Sequence, residues 1–299
     1  MIPMTTAERR GYQQICGDEG AMMVVACDQR GGMRSLLAAT PEAQAKIGND
    51  VLAKTKMDIT AHLARHAGCV LVDPVCAVPG LIDDGVIHRG TGLLIGLDAS
   101  GFDTTPQGWR ISHMVDGITG RRVRALGGTG AKIMIYLRSD VPDANKANLA
   151  TLRRVIADFA AEDLLLVVEL LTYGLPGESA ETLKAKTPEL IEGGSRLCLE
   201  AGSKVLKIPY PGMPQACKTI TAMCGPVPWA VLSAGVDHAT FLAQVEIAMA
   251  NGASGVIAGR SLWKDCIDLD RTVTKHRLET IAVPRLREIQ SVIQRHFRR

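Results

Sequence analysis

Eight short aliphatic runs, separated by longer segments of helical character, constrain this chain more than any other feature. They occupy residues 22–27 (MMVVAC), 69–72 (CVLV), 93–97 (LLIGL), 132–137 (KIMIYL), 164–170 (LLLVVEL), 204–208 (KVLKI), 229–232 (WAVL) and 254–258 (SGVIA). Runs of this length suit buried strands rather than helices. Helical spacing fills the intervals at residues 41–66, 113–126, 144–161, 188–201, 214–224 and 239–251, and again at 269–297. Strand and helix alternating in this way make right-handed βαβ units and a parallel sheet. Eight such units close into a (β/α)8 TIM barrel, an α/β fold expected to use residues 1–299 as a single domain. Residues 73–110, rich in Gly, Pro and Asp, hold only one of the runs. They are expected to form an excursion over the barrel mouth, with 93–97 as the third strand.

Composition agrees with this architecture. Hydrophobic residues reach 46% while aromatics are 4%, so the core must come from Val, Ile, Leu, Ala and Met, as in strands covered on both faces. A formal charge of +3, with 34 Lys and Arg scattered against 31 Asp and Glu, excludes a typical nucleic-acid binder. The densest basic cluster, Arg295, His296, Arg298 and Arg299, reads as a solvated helix end. The eight cysteines contain no C-x-x-C pair and several sit inside apolar runs, which predicts reduced thiols and a cytoplasmic protein. No apolar stretch reaches the roughly 18 residues of a membrane span, so no membrane partner is expected.

In such a barrel the active site lies at the carboxyl ends of the strands. The first run ends in Asp28-Gln29-Arg30, the second in Asp73-Pro74 and the fourth in Arg138-Ser139-Asp140. Glu169 lies in the fifth run and Lys207 in the sixth, while the seventh ends in Ser233-Ala234-Gly235 and the eighth in Gly259-Arg260. Side chains alternate faces along a strand, so Lys204 and Lys207 cannot both point inward. Lys207, bounded by Leu206 and Ile208 and nearer the carboxyl end, is placed inside, and Lys204 outside at the strand's start. An amine in an apolar strand is costly to charge, and a second cation such as Lys132 would make it costlier. A neutral amine can attack a ketone to give a Schiff base. Glu169, flanked by Val167, Val168, Leu170 and Leu171, is expected to have a raised pKa and to act as general acid and base. A structural Lys207–Glu169 ion pair is the bland alternative, although buried pairs stabilise weakly. Ser233, Gly235, Gly259 and Arg260 read as a phosphate site, since glycines let backbone N–H groups approach an anion and Arg adds a bidentate clamp.

Two other features are discounted. His62 and His66 have helical spacing but no further ligand at usable distance in sequence, so no metal is expected. The run Gly127-Gly128-Thr129-Gly130 precedes a strand instead of following one, so it ends a helix rather than cradling a nucleotide.

These stretches resemble a known family. A-C-D-Q-R-G, G-A-K-I-M-I-Y-L-R-S-D, V-V-E-L-L, K-V-L-K-I, P-W-A-V-L-S-A-G-V-D and G-A-S-G-V-I-A-G-R-S-L-W are similar to the class I aldolases that include tagatose 1,6-bisphosphate aldolase and sulfofructosephosphate aldolase. The resemblance covers nearly the whole chain. It implies Lys207 as the Schiff-base lysine and Glu169 as acid and base for both the dehydration and the C4 hydroxyl. It implies Lys132 and Asp28, with Gln29 beside them, as holders of sugar hydroxyls, and Ser233, Gly235, Gly259 and Arg260 as the C1-phosphate pocket. No cofactor and no metal are implied. Arg30 is expected to meet a second anion, phosphate or sulfonate, at the far end of a six-carbon sugar. The ligand is then a small sugar phosphate, and a homo-oligomer is expected. Family members carry a glutamate two residues after the lysine, where this chain has Pro209. Two other readings stand beside this one. A barrel isomerase or decarboxylase would use the last two loops without an imine, and a silent sugar-phosphate sensor would lack Lys207 or Glu169.

Overall fold

The strands fall where aliphatic runs lie, with one addition. In a computed structural model describing residues 3–297, they are β1 (Met22–Ala26), β2 (Cys69–Val72), β3 (Gly92–Gly96), β4 (Asp98–Thr104), β5 (Arg110–Met114), β6 (Gly130–Tyr136), β7 (Leu165–Leu171), β8 (Leu206–Pro209), β9 (Trp229–Leu232) and β10 (Gly255–Ala258). Eight of them close a parallel barrel in the order β1-β10-β9-β8-β7-β6-β3-β2, and β4 and β5 form a separate antiparallel hairpin. The hairpin is the expected excursion, but it starts later than residue 73, directly at the end of β3.

Strand parity divides the core into two shells. Met22, Val24, Ala26, Leu71, Leu94, Val167, Val205 and Ile257 fill the barrel interior. Their neighbours Met23, Val25, Val70, Ile95, Val168, Leu206 and Val256 face outward and pack with the helices. Helix α1 (Thr6–Ile15) closes the amino-terminal end of the barrel, where its Ile15 joins the inner shell. It starts on a capping box: Thr5 Oγ1 accepts from the Glu8 N–H at 3.2 Å and Glu8 Oε2 accepts from the Thr5 N–H at 2.7 Å. Its carboxyl end lies against the sheet, and a Cβ on Gly92 would come within 2.4 Å of the Gln14 carbonyl oxygen.

Helices differ from the sequence expectation at their ends. The segment 41–66 is interrupted at Gly48, giving helices Pro41–Ala45 and Asn49–Leu63 and a 3₁₀ turn Ala64–His66. His113 belongs to β5, and the following helix begins only at Gly120, capped by Thr119. The helix expected from Pro188 starts at Ala180, where Ser179 accepts from the Thr182 N–H, and Pro188 lies inside it. The last helix is three segments, Arg271–Arg277, a π-helical Leu278–Ala282 and Val283–His296, with the π turn just before Pro284. Gly127 turns the chain between the helix Gly120–Ala125 and β6 with φ +74°, as the glycine run predicts. Arg295 and His296 both reach Glu246, whereas Arg298 and Arg299 lie outside the described residues. Among the described residues, no helix is long and apolar enough to cross a membrane.

Candidate active site

Parity brings the polar residues of β6, β7 and β8 to one level. Glu169 and Lys207 are direct register partners across β7 and β8, and Lys132 lies opposite Val167, two residues below Met134 and Glu169. Lys132, Glu169 and Lys207 therefore point into the barrel above its apolar layers. Lys207 Nζ lies 2.8 Å from Glu169 Oε2. Lys204 takes the opposite end, where its Nζ pairs with both Glu8 oxygens at 2.7 and 2.6 Å, so β8 separates the two lysines as expected.

Lys132 is the hub. Its Nζ lies 2.8 Å from Asp28 Oδ2, 2.6 Å from Asp98 Oδ1 and 3.1 Å from Glu169 Oε2. Room for Asp28 comes from Gly96, where a Cβ would approach the Asp28 Cβ to 3.3 Å. Burial opposes charge on Lys132, but the neighbouring carboxylates outweigh it and hold the ammonium well above its ordinary pKa. Lys132 was expected to act as a bare second cation beside Lys207. Its charge is instead compensated, and Glu169 bridges the two ammoniums.

Glu169 departs from expectation in a second way. Burial pushes its pKa up, but Lys207 and Lys132 outweigh burial and hold the carboxyl below its usual value. The apolar flanks that suggested a raised pKa are real, yet two cations within 3.1 Å decide the sign. Asp28 behaves alike, pushed up by burial but held well down by Lys132 and Lys207. Asp98 goes the other way: burial raises its pKa, Lys132 lowers it, and the charges of Asp28 and Glu169 leave it above its ordinary value. Cys27, next to Asp28, is no nucleophile, since burial pushes its thiol up to about 12.

Two cavities of about 230 Å³ each open at this level, and Lys207, Glu169, Gln29, Leu171 and Arg260 line both. One lobe runs between Ser233-Ala234-Gly235 and Gly259. Ala234 and Gly235 have φ of +47° and +79°, and a Cβ on Gly235 would lie 3.2 Å from Arg260 Cζ. Glycine there lets the guanidinium pack flat on the loop, which Lys264 ties down by donating to the Gly235 carbonyl at 2.7 Å. Among the described residues Arg260 has no hydrogen-bond or carboxylate partner, so its donors are available to an anion. The other lobe is lined by Asp28, Arg30, Gly31, Gly32, Asp98, Ser100 and Gly101. Arg30 sits there, donating from Nη2 to the Asp98 carbonyl at 2.9 Å, with Nη1 3.4 Å from Asp73 Oδ1. Asp73 is in turn paired with the buried Lys56. Gln29 donates to Asp28 Oδ1 at 2.9 Å, leaving its buried Oε1 unpartnered in the wall between the lobes.

The strand-end residues Asp28, Gln29, Arg30, Glu169, Lys207, Ser233, Gly235, Gly259 and Arg260, with Lys132 from the family resemblance, thus line the two adjoining lobes. Arg138 does not join them. Fully buried, it is gripped by Asp140 at 2.8 Å and Glu178 at 2.6 Å and donates to the Tyr173 carbonyl, locking the loops after β6 and β7 together. Asp98 is the group missed. It directly follows Leu97, so the strand-end rule applied to the third run would have found it. His62 Nδ1 lies 2.7 Å from the Asp58 carbonyl oxygen within its own helix. Among the described residues no group of three or more His, Cys, Asp and Glu is arranged to hold a metal ion.

A parallel barrel whose carboxyl mouth gathers amines, carboxylates and an unpaired arginine defines an enzyme for small, oxygen-rich anions. Residues 22–265 match the DeoC/LacD family aldolase, and the chain belongs to that family; it is an aldolase, hence a lyase. A tagatose 1,6-diphosphate aldolase of Listeria monocytogenes is 26% identical over 296 residues, covering 90% of this chain and 85% of that protein. Tagatose 1,6-diphosphate aldolase 1 of Streptococcus pyogenes is 28% identical over 286 residues, covering 86% of this chain and 85% of that protein. An archaeal fructose-1,6-bisphosphate aldolase, solved with its catalytic Lys covalently bound to the carbinolamine intermediate of the substrate, shares the fold with a TM-score of 0.64. It is 20% identical and covers 95% of this chain and 98% of its own.

Proposed function

We propose that this aldolase is of the Schiff-base class and cleaves a ketose 1-phosphate, such as tagatose 1,6-bisphosphate, to dihydroxyacetone phosphate and an aldehyde. The observation that carries the proposal is Lys207 Nζ at the junction of two lobes, 2.8 Å from a carboxylate that can take its proton. The relatives' names and the neighbour's covalently bound lysine support it. The C1 phosphate occupies the Ser233–Gly235 and Gly259–Arg260 lobe. Lys207 attacks the C2 carbonyl, and Glu169 supplies the proton with which the carbinolamine hydroxyl leaves as water. The protonated imine then withdraws the electron pair of the C3–C4 bond. The aldehyde leaves, a proton added at C3 of the resulting enamine restores the imine, and its hydrolysis releases dihydroxyacetone phosphate. Lys132, Asp28 and Gln29 hold the sugar hydroxyls, and no metal takes part.

Borohydride reduction in the presence of ketose phosphates tests this directly. Mass spectrometry should find one adduct, on the peptide containing Lys207, and excess chelator should leave cleavage unchanged. An adduct on another lysine, or a chelated enzyme restored by zinc, would overturn the mechanism.

The two lobes also make separable predictions. A charge-assisted contact contributes about 1.5–3 kcal/mol, roughly ten- to a hundred-fold in affinity. Arg260→Ala should cost this for every substrate, including dihydroxyacetone phosphate in the reverse direction. Arg30→Ala should cost it only for ketoses bearing a second anion, whether phosphate, as in tagatose 1,6-bisphosphate, or sulfonate, as in sulfofructose phosphate. Affinities for mono- and bis-anionic ketoses decide the matter: equal weakening of both by Arg30→Ala would make Arg30 structural, through its bonds to Asp73 and the Asp98 carbonyl.

A further inference from the structure

The charged cluster around Lys132 contains three carboxylates, and they are not equally committed. Asp28 has both oxygens in use, Oδ1 accepting from Gln29 at 2.9 Å and Oδ2 facing Lys132 at 2.8 Å. Glu169 faces both lysines with Oε2, at 2.8 Å to Lys207 and 3.1 Å to Lys132. Asp98 faces Lys132 through Oδ1 at 2.6 Å. Among the described residues Asp98 accepts a side-chain hydrogen bond through Oδ1 only, and it lines the cavity.

Asp98 and Glu169 are placed differently with respect to the two lobes. Glu169 belongs to both lobes and adjoins the amine of Lys207. Asp98 belongs only to the lobe of Arg30, Gly31 and Ser100, into which the aldehyde half of the substrate projects. Its position is fixed on the backbone side as well, because Arg30 donates to its carbonyl at 2.9 Å.

From this geometry we infer that Asp98 is a catalytic residue, the base that takes the C4 hydroxyl proton, while Glu169 serves the C2 centre. The inference rests on the Schiff-base reading above. As Asp98 Oδ2 takes the proton, the O–H electron pair becomes the second bond of the C4 carbonyl. The C3–C4 bond breaks, and its pair forms the C2–C3 double bond as the imine π electrons move to nitrogen. The products are a free aldehyde, a neutral enamine on Lys207 and a protonated Asp98, so atoms and charge balance. A carboxyl whose pKa is raised is the better acceptor in this cluster, and that of Asp98 is raised, whereas Asp28 is held down by Lys132 and Lys207. In the synthesis direction the protonated Asp98 returns its proton to the new C4 alkoxide.

The test separates the two carboxylates. Asp98→Asn keeps an oxygen for Lys132 but removes the base. It should lower cleavage by about 10²–10⁴-fold. Formation of the dihydroxyacetone phosphate imine, trapped by borohydride, should stay within a few-fold of wild type. So should exchange of that substrate's hydroxymethyl hydrogen with deuterated water, since neither involves C4. Glu169→Gln should depress trapping and cleavage together. Unchanged cleavage in Asp98→Asn would overturn the assignment, and so would trapping that falls in parallel with cleavage, which would make Asp98 a mere holder of Lys132. If the asparagine variant does not fold, Asp98→Ser is read in the same assays and by the same criteria. Absence of a Lys207 adduct in the wild-type enzyme would instead sink the Schiff-base reading, which keeps the two failures distinct.

Discussion

Lys207→Ala is expected to reduce cleavage by about 10⁴-fold or more, because the covalent route vanishes with the amine. Lys204→Ala should leave it within a few-fold. The two lysines are three residues apart on one segment, and the sheet sends them to opposite ends of the molecule: Lys207 to the mouth beside Glu169, Lys204 to the base beside Glu8. Lys204→Ala removes the partner of a Glu8 carboxylate whose side chain is only 6% exposed, so its effect should appear in the melting midpoint instead. The comparison needs steady-state cleavage and a thermal melt for each variant. Equal loss of activity from both, in proteins that melt alike, would refute the placement of the lysines.

Lys132→Met should be the most destabilising of the active-site substitutions. Removing one partner of a buried ion cluster typically costs about 3–5 kcal/mol, because uncompensated charge remains inside. Here Asp28, Asp98 and Glu169 would face one another with only Lys207 near. The pH dependence should change sign. In the wild type, Asp28 and Glu169 have depressed pKa values, so their stabilisation is present above the ordinary carboxylate range and lost as pH falls through the folded-state values. In Lys132→Met the crowded carboxylates must rise instead, so lowering the pH from about 8 to 5 should raise the melting midpoint. A variant whose midpoint falls with pH as the wild type's does would show that Lys132 does not neutralise the cluster. Cleavage should be lost at both pH values.

Much of this site was legible because the signals were local. Period-two alternation placed Val205 and Lys207 inside and Leu206 and Ile208 outside, which the two shells of the core reproduce. Strand-end position collected Asp28 and Arg30 of one lobe, Ser233, Gly235 and Gly259 of the other, and Gln29, Glu169, Lys207 and Arg260 between them. What escaped depended on partners distant in sequence. Arg138 looks like a mouth residue until Glu178, forty positions on, turns it away. The shift of Glu169 cannot be read from its apolar neighbours, because its sign comes from lysines on the two adjacent strands. Asp98 was within reach of the strand-end rule, since it directly follows Leu97, the last residue of the third run, and opens the hairpin. The helix expected at residues 113–126 is confined to Gly120–Ala125, since the second hairpin strand claims His113.

The helix beneath the barrel has a kinetic consequence. With α1 stoppering the base and the inner shell apolar, Lys207 faces the mouth of the barrel. On the Schiff-base reading, the water that cleaves the last imine would come in by the same door through which the aldehyde goes out. While both fragments are seated, that door would be blocked. Departure of the aldehyde from the Arg30 lobe would then admit the water, with the phosphate-bearing fragment still anchored on the far side. That reading therefore predicts an order of release: a tube sealed at one end drains with the outermost piece first.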